Sequence, residues 1–188
     1  MRNILLFLLT VFLVTGLGQE LLRNGDFEDS LNYWTPVVNN NQGTYSITRD
    51  TSYQSDSDYE VRVYKSMRYS AGLAQTVDLA SSVVRFSGSA KLLATKGSTA
   101  GHYAYAAIIL KYLNAGDTVL GRTMIVKKVG SYNPRNSPIL YVIPVTSNDW
   151  EDYELILADE IARLSGVNPA DVAKVSVCLE CYGTGSTG

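Results

Sequence analysis

Apolar and polar residues alternate along most of this chain in short runs. Tyr45, Ile47 and Arg49 alternate with Thr44, Ser46 and Thr48, and Val61 and Val63 alternate with Glu60 and Arg62. A period of two marks a strand with one buried face. Read this way, the sequence predicts strands over 20–28, 44–49, 59–64, 72–79, 83–94, 103–113, 118–127, 139–145, 150–157 and 172–182. Clusters of Gly, Asn, Asp, Ser and Pro separate them, and Asn114-Ala115-Gly116-Asp117 is a hairpin signal. One helical interruption is expected at 159–164, where Ile161 and Leu164 stand three apart before Asn168-Pro169 restarts the extended chain. Short strands in this number and spacing predict an all-β, two-sheet antiparallel sandwich or jelly roll.

The parity of 103–113 sorts its side chains further. Tyr103, Tyr105, Ala107, Ile109 and Lys111 share one face, and Ala106, Ile108, Leu110 and Tyr112 share the other. The second set reads as core. The first then leaves two tyrosines and an amine on an open sheet.

The first eighteen residues follow a different pattern. Arg2 precedes an apolar run, Ile4 to Val14, broken only by Thr10, and Gly16 and Gly18 stand just before Gln19. That is the layout of a secretory signal peptide. The run is about eleven residues, against about 20 for a bilayer span, so an uncleaved anchor is the weaker alternative. No cysteine lies near the cut, which excludes a lipoprotein. The expectation is a signal peptide over 1–18 and one secreted or cell-surface domain over 19–188.

Composition narrows the function classes. Apolar residues make up 46% and charged residues 18%, which favours a packed core over disorder. A formal net charge of -2 gives no ground for nucleic acid or anionic lipid as partner. Tyrosine dominates the aromatics, with 13 Tyr against 4 Phe and 2 Trp, and suits half-wet sheet surfaces. His102 is the only histidine, and nothing singles out two carboxylates among 18 acidic residues, so the chain reads as non-catalytic.

Cys178-Leu179-Glu180-Cys181 is half a zinc site at most. In an extended strand these positions lie about 10 Å apart on opposite faces, beyond the roughly 7 Å that a disulfide spans. A disulfide is expected only if the strand ends near Leu179. Otherwise both are small packing residues.

Several segments, in order, carry a family resemblance. Leu22-Arg23-Asn24-Gly25-Asp26-Phe27-Glu28, followed by Trp34, resembles the opening signature of galactose-binding-like jelly rolls, closest to carbohydrate-binding modules of the family 4, 9 and 22 type. Ser57 to Val63, Ala74 to Leu79, Arg85 to Lys91, Leu110 to Asp117 and Trp150 to Leu155 resemble successive strands of those modules. The resemblance implies a galactose-binding-like fold across nearly all of 19–188. It also implies that Trp34 and Trp150 close over the core. The last strand of the pattern has no counterpart before Gly188, which leaves an open sheet edge or a sheet closed differently.

Function follows as an expectation of non-catalytic polysaccharide or cell-surface glycan binding. The aromatic platform is Tyr103 and Tyr105 with Lys111 beyond them, and Gln75, Arg85 and Tyr132 supply polar groups from neighbouring strands and a loop. The alternative for these tyrosines is a covering for a solvated sheet. The resemblance further implies one structural calcium ion, held by Glu28 and by Asp50, Ser52 and Asp56 of the 50–58 loop. The terminal Asp of that pattern is absent, so a solvated acidic loop is the alternative. Two other readings stand beside glycan binding: a structural or adhesion domain without a small ligand, and a fragment of a larger secreted glycoside hydrolase.

Overall fold

The computed structural model describes residues 21–39, 42–51, 58–79, 84–95, 101–131 and 133–184. The expected signal peptide lies outside these residues. Among the described residues no helix is long and apolar enough to cross a membrane.

The described residues form ten strands: β1 (Thr35–Asn39), β2 (Tyr45–Asp50), β3 (Glu60–Lys65), β4 (Tyr69–Asp78), β5 (Arg85–Ala90), β6 (Tyr103–Leu113), β7 (Val119–Gly130), β8 (Leu140–Pro144), β9 (Glu151–Ile156) and β10 (Lys174–Gly183). One short helix, α1 (Leu157–Ala162), follows β9. The main sheet has six strands in the order β1-β4-β10-β6-β7-β8, while β2-β3 and β5-β9 form separate two-stranded ribbons. Apolar residues of both ribbons, among them Ile47, Val61, Val63, Phe86 and Leu155, pack on Leu73, Ile108, Leu110, Tyr112, Ile125 and Val177 of the main sheet. The fold is a β-sandwich whose second layer is two ribbons rather than one sheet.

The predicted β6 matches in both boundaries, and its turn uses Asn114 as expected. The Asn114 side-chain oxygen accepts from the backbone N–H of Gly116 and Thr118 at 3.0 and 2.9 Å. Asn and Asp favour turns for this reason: the side chain replaces a backbone acceptor.

Three expectations are corrected. Residues 21–28 form turns instead of a strand. Asn24 is the cause, since its amide donates to the carbonyls of Asp29, Ser30 and Asn32 and its oxygen accepts from the Asp29 N–H. Trp34 closes this loop over the core, as expected, its indole N–H donating to the Asn24 carbonyl at 3.0 Å. Trp150, by contrast, is only half-buried and belongs to neither apolar cluster.

The second correction is β1, which periodicity missed because it is short and contains Pro36. It pairs only with β4, at the sheet edge where a proline removes no needed donor. The third is β8, which runs parallel to β7, so the sheet is antiparallel except at this pair.

At the far end of the core, Tyr112 is fully buried and its hydroxyl exchanges a hydrogen bond with Thr123 at 2.9 Å. Thr123 donates on to Glu160, which pairs with Arg163 at 3.2 Å. Burial pushes the Tyr112 phenol well above its ordinary range.

Candidate functional site

The six-stranded sheet turns one face to the ribbons and the other outward. On β10, Val175, Val177, Leu179 and Cys181 point to the core, so Lys174, Ser176, Cys178, Glu180 and Tyr182 point out. Tyr182 is paired across strands with Tyr105, which is paired in turn with Lys128. The Tyr105 and Tyr182 rings are stacked with centroids 5.1 Å apart and 9° between planes, and Tyr103 stacks on Tyr182 at 5.7 Å and 19°. Three aromatic rings from two strands thus form one platform.

Hydrogen bonds fix it. The Tyr105 hydroxyl donates to Glu180 Oε1 at 2.6 Å. Thr184 accepts from the Tyr103 N–H at 2.9 Å and donates its own N–H to the Tyr103 carbonyl at 3.0 Å, tying the end of β10 to β6. Burial among these rings pushes the Tyr182 phenol up, and its hydrogen bond with Tyr103 adds to the shift.

Beside the platform the sheet is floored by small and apolar side chains: Gly72 and Ala74 on β4, Cys178 on β10, Ala107 and Ile109 on β6, Met124 and Val126 on β7. Ala107 and Ile109 are 2% and 3% exposed, so this side of the sheet carries a small buried apolar cluster of its own and not only solvated side chains. A Cβ on Gly72 would meet the Leu179 carbonyl at 2.8 Å. Beyond β7, a cavity of about 330 Å³ opens between the sheet and the 133–136 loop, lined by Lys128, Asn133, Arg135, Val142 and Pro144 among others.

The structure brings Tyr103, Tyr105 and Lys111 onto one face. Lys111 stands six residues along β6 from Tyr105, roughly 20 Å away, beside Cys178. Gln75 lies on the opposite, core-facing side of β4, only 7% exposed. Its amide accepts from the Arg23 N–H at 2.7 Å and donates to the Arg23 carbonyl at 2.8 Å, clamping the first loop to the sheet. Arg85 points outward from the β5-β9 ribbon, on the other side of the molecule, and pairs with Glu154 at 3.0 Å. Gln75 and Arg85 therefore stand apart from the tyrosines because parity turns both to other surfaces. Tyr132 lies outside the described residues.

Tyr182 escaped the sequence reading. Its signal was present: the apolar 175, 177, 179 and 181 force 182 outward, but only pairing with β6 shows that it meets Tyr105.

The two cysteines are free and face opposite sides of β10, which runs on to Gly183. Both are packing residues, as the extended alternative requires. Burial raises the Cys178 thiol to about 11 despite the opposing charge of Lys111, and raises Cys181 to about 11 as well. The Cys181 thiol donates to the Val63 carbonyl at 3.2 Å.

At the corner expected to hold calcium, Arg49 is the cation. Its guanidinium donates to the carbonyls of Phe27 and Glu28, stands 3.9 Å from the Glu28 carboxylate and lies 3.1 Å from the Tyr59 ring centre. Asp50 follows directly, and Ser52 and Asp56 lie outside the described residues. Among the described residues no three His, Cys, Asp or Glu side chains converge as a metal site. One Glu28 carboxylate oxygen thus has the Arg49 guanidinium as its neighbour, and two of the four residues expected to hold calcium lie outside the described residues.

No protein-family model matches the chain, and no curated protein matches it in sequence. Solved structures are similar to it in fold. A family 61 carbohydrate-binding module, solved in complex with β-1,4-galactotriose, is 14% identical with a TM-score of 0.44 over 87% of this chain and 88% of that one. The enzymatically active domain of a bacteriophage CBA120 tailspike protein is 12% identical with a TM-score of 0.43, over 89% of this chain and 20% of that one. A structure of carbohydrate-binding modules from the β-sandwich superfamily is 16% identical with a TM-score of 0.43, over 87% of this chain and 55% of that one.

Proposed function

We propose that the outward face of the six-stranded sheet binds polysaccharide without cleaving it, as part of an exported protein. The observation that carries this reading is the stacked trio Tyr103, Tyr182 and Tyr105 on an open sheet face. Aromatic faces stack on the C–H surfaces of sugar rings, and the Tyr and Lys groups around them supply hydrogen bonds to hydroxyls. Export is supported by the apolar run Ile4 to Val14 before Gln19.

The test is affinity electrophoresis of the folded protein through a panel of soluble polysaccharides, with Tyr105→Ala alongside. Retardation by at least one polysaccharide is expected for the wild type. Removing a stacking aromatic costs on the order of 1 to 3 kcal/mol, by analogy with base stacking, or roughly a tenfold to hundredfold loss of affinity. A wild type that ignores the whole panel would leave a structural or adhesion domain as the better reading. Full retardation of a folded Tyr105→Ala variant would move the site to another surface.

A further inference from the structure

On the same outward face, Lys111 of β6 and Arg122 of β7 are direct cross-strand partners. Directly opposed like charges destabilise a sheet. Neither side chain has a carboxylate partner among the described residues. The third cation of the face, Lys128, neighbours Tyr105 and donates to Asn133 at 3.1 Å. Arg135 adds a fourth cation in the adjoining cavity. One carboxylate of the face, Glu180, accepts from the Tyr105 hydroxyl at the platform end and keeps its own charge there, opposite Ala107 and so four residues along β6 from Lys111. Lys174 is different, since Asp117 neutralises it at 2.7 Å. A chain with a formal net charge of -2 thus sets two adjacent cations, Lys111 and Arg122, with no carboxylate partner among the described residues, on the face that carries the aromatic platform.

We propose that the ligand of this face is an acidic polysaccharide, with a sugar ring against the tyrosine trio and an anionic substituent bridging Lys111 and Arg122. This rests on the reading of the face as a polysaccharide site. An anion between the two cations relieves their repulsion, which a neutral chain does not do. Charge-assisted hydrogen bonds to carboxylate or sulfate oxygens then select the ligand, while the rings hold its backbone. The roughly 20 Å from Tyr105 to Lys111 requires an oligosaccharide or polymer rather than one sugar.

The experiment compares polygalacturonate with its fully methyl-esterified form, which keeps the backbone and removes the charge, and adds alginate and heparin. Binding to polygalacturonate or alginate is expected, weakening as salt is raised. Binding to heparin alone would assign the anion as sulfate instead of carboxylate and keeps the inference. Lys111→Gln and Arg122→Gln should each lower affinity for the anionic probe by at least about tenfold. Both variants should keep or raise the melting temperature of the free protein, because a like-charge pair is removed, and Arg85→Gln on the opposite surface should leave affinity unchanged. Equal binding of the acid and its ester would overturn the acidic ligand and leave the polysaccharide site standing. So would binding to a neutral polysaccharide with none to the anionic probes. Binding to no polysaccharide at all would overturn both.

Discussion

Tyr105 and Tyr182 lie ring over ring at 5.1 Å although they come from strands far apart in the chain. Their relationship depends on register, since Tyr182 is the cross-strand partner of Tyr105 and Glu180 receives the Tyr105 hydroxyl. Ring and hydroxyl therefore have separable roles. Tyr105→Phe keeps the ring and loses only its hydroxyl, so polysaccharide binding should fall by less than about tenfold. Tyr182→Ala removes the middle ring of the trio and should cost roughly tenfold to hundredfold. Calorimetric titration of the two variants separates these effects, and equal losses would show that the hydroxyl, not the stack, holds the ligand.

Arg49 serves as the internal cation of the first loop, with its side chain 22% exposed. Arg49→Gln leaves the carbonyls of Phe27 and Glu28 short of a charged donor, at a cost of about 2 kcal/mol. For a chain of this size that lowers the melting temperature by roughly 4 to 8 °C. Because Arg49 already donates to the Glu28 carbonyl and stands beside its carboxylate, wild-type protein should melt at the same temperature in chelator and in millimolar calcium. A clear rise with calcium would restore the ion to the 50–58 loop, since a ligand of the native state stabilises by mass action.

The thiols predict an alkaline limit. Cys178 and Cys181 are held protonated by burial, both raised from 9.0 to about 11. A raised folded-state value means that stability is fully present below the unfolded value and is lost as pH rises through the folded one. Each thiol therefore contributes a loss of up to about 1.4 kcal/mol per pH unit between about pH 9 and pH 11. Melting curves across that window should fall steeply, and Cys178→Ala should flatten the slope. A native protein whose thiols react freely with an alkylating agent at neutral pH would contradict this.

Much of the fold was legible because one face of each strand is dry. Val61 and Val63, or Ile108, Leu110 and Tyr112, announce their strands by parity alone. The first loop was not legible, since Leu21 and Leu22 mimic a strand and only the four contacts of the Asn24 side chain turn it aside. Site residues divided along the same line. Tyr103, Tyr105 and Lys111 share one strand, so local parity placed them together. Gln75 and Arg85 required knowledge of which face of their own strands met the core, and Tyr182 required the pairing of β10 with β6. Information that depends on long-range register is absent from any short window of sequence.

β10 lies between β4 and β6 yet follows both in the chain. The central ladder of the sheet therefore cannot assemble in the order of synthesis. Until residues 174–183 are available, β4 and β6 each expose an unpaired edge, and Tyr105 has neither its stacking ring nor its carboxylate. Such non-local closure makes folding slow and leaves aggregation-prone edges open in the interval. The stacked tyrosine trio is accordingly completed in the final step, and a nascent chain lacking β10 has neither Tyr182 nor the Glu180 contact that fixes it.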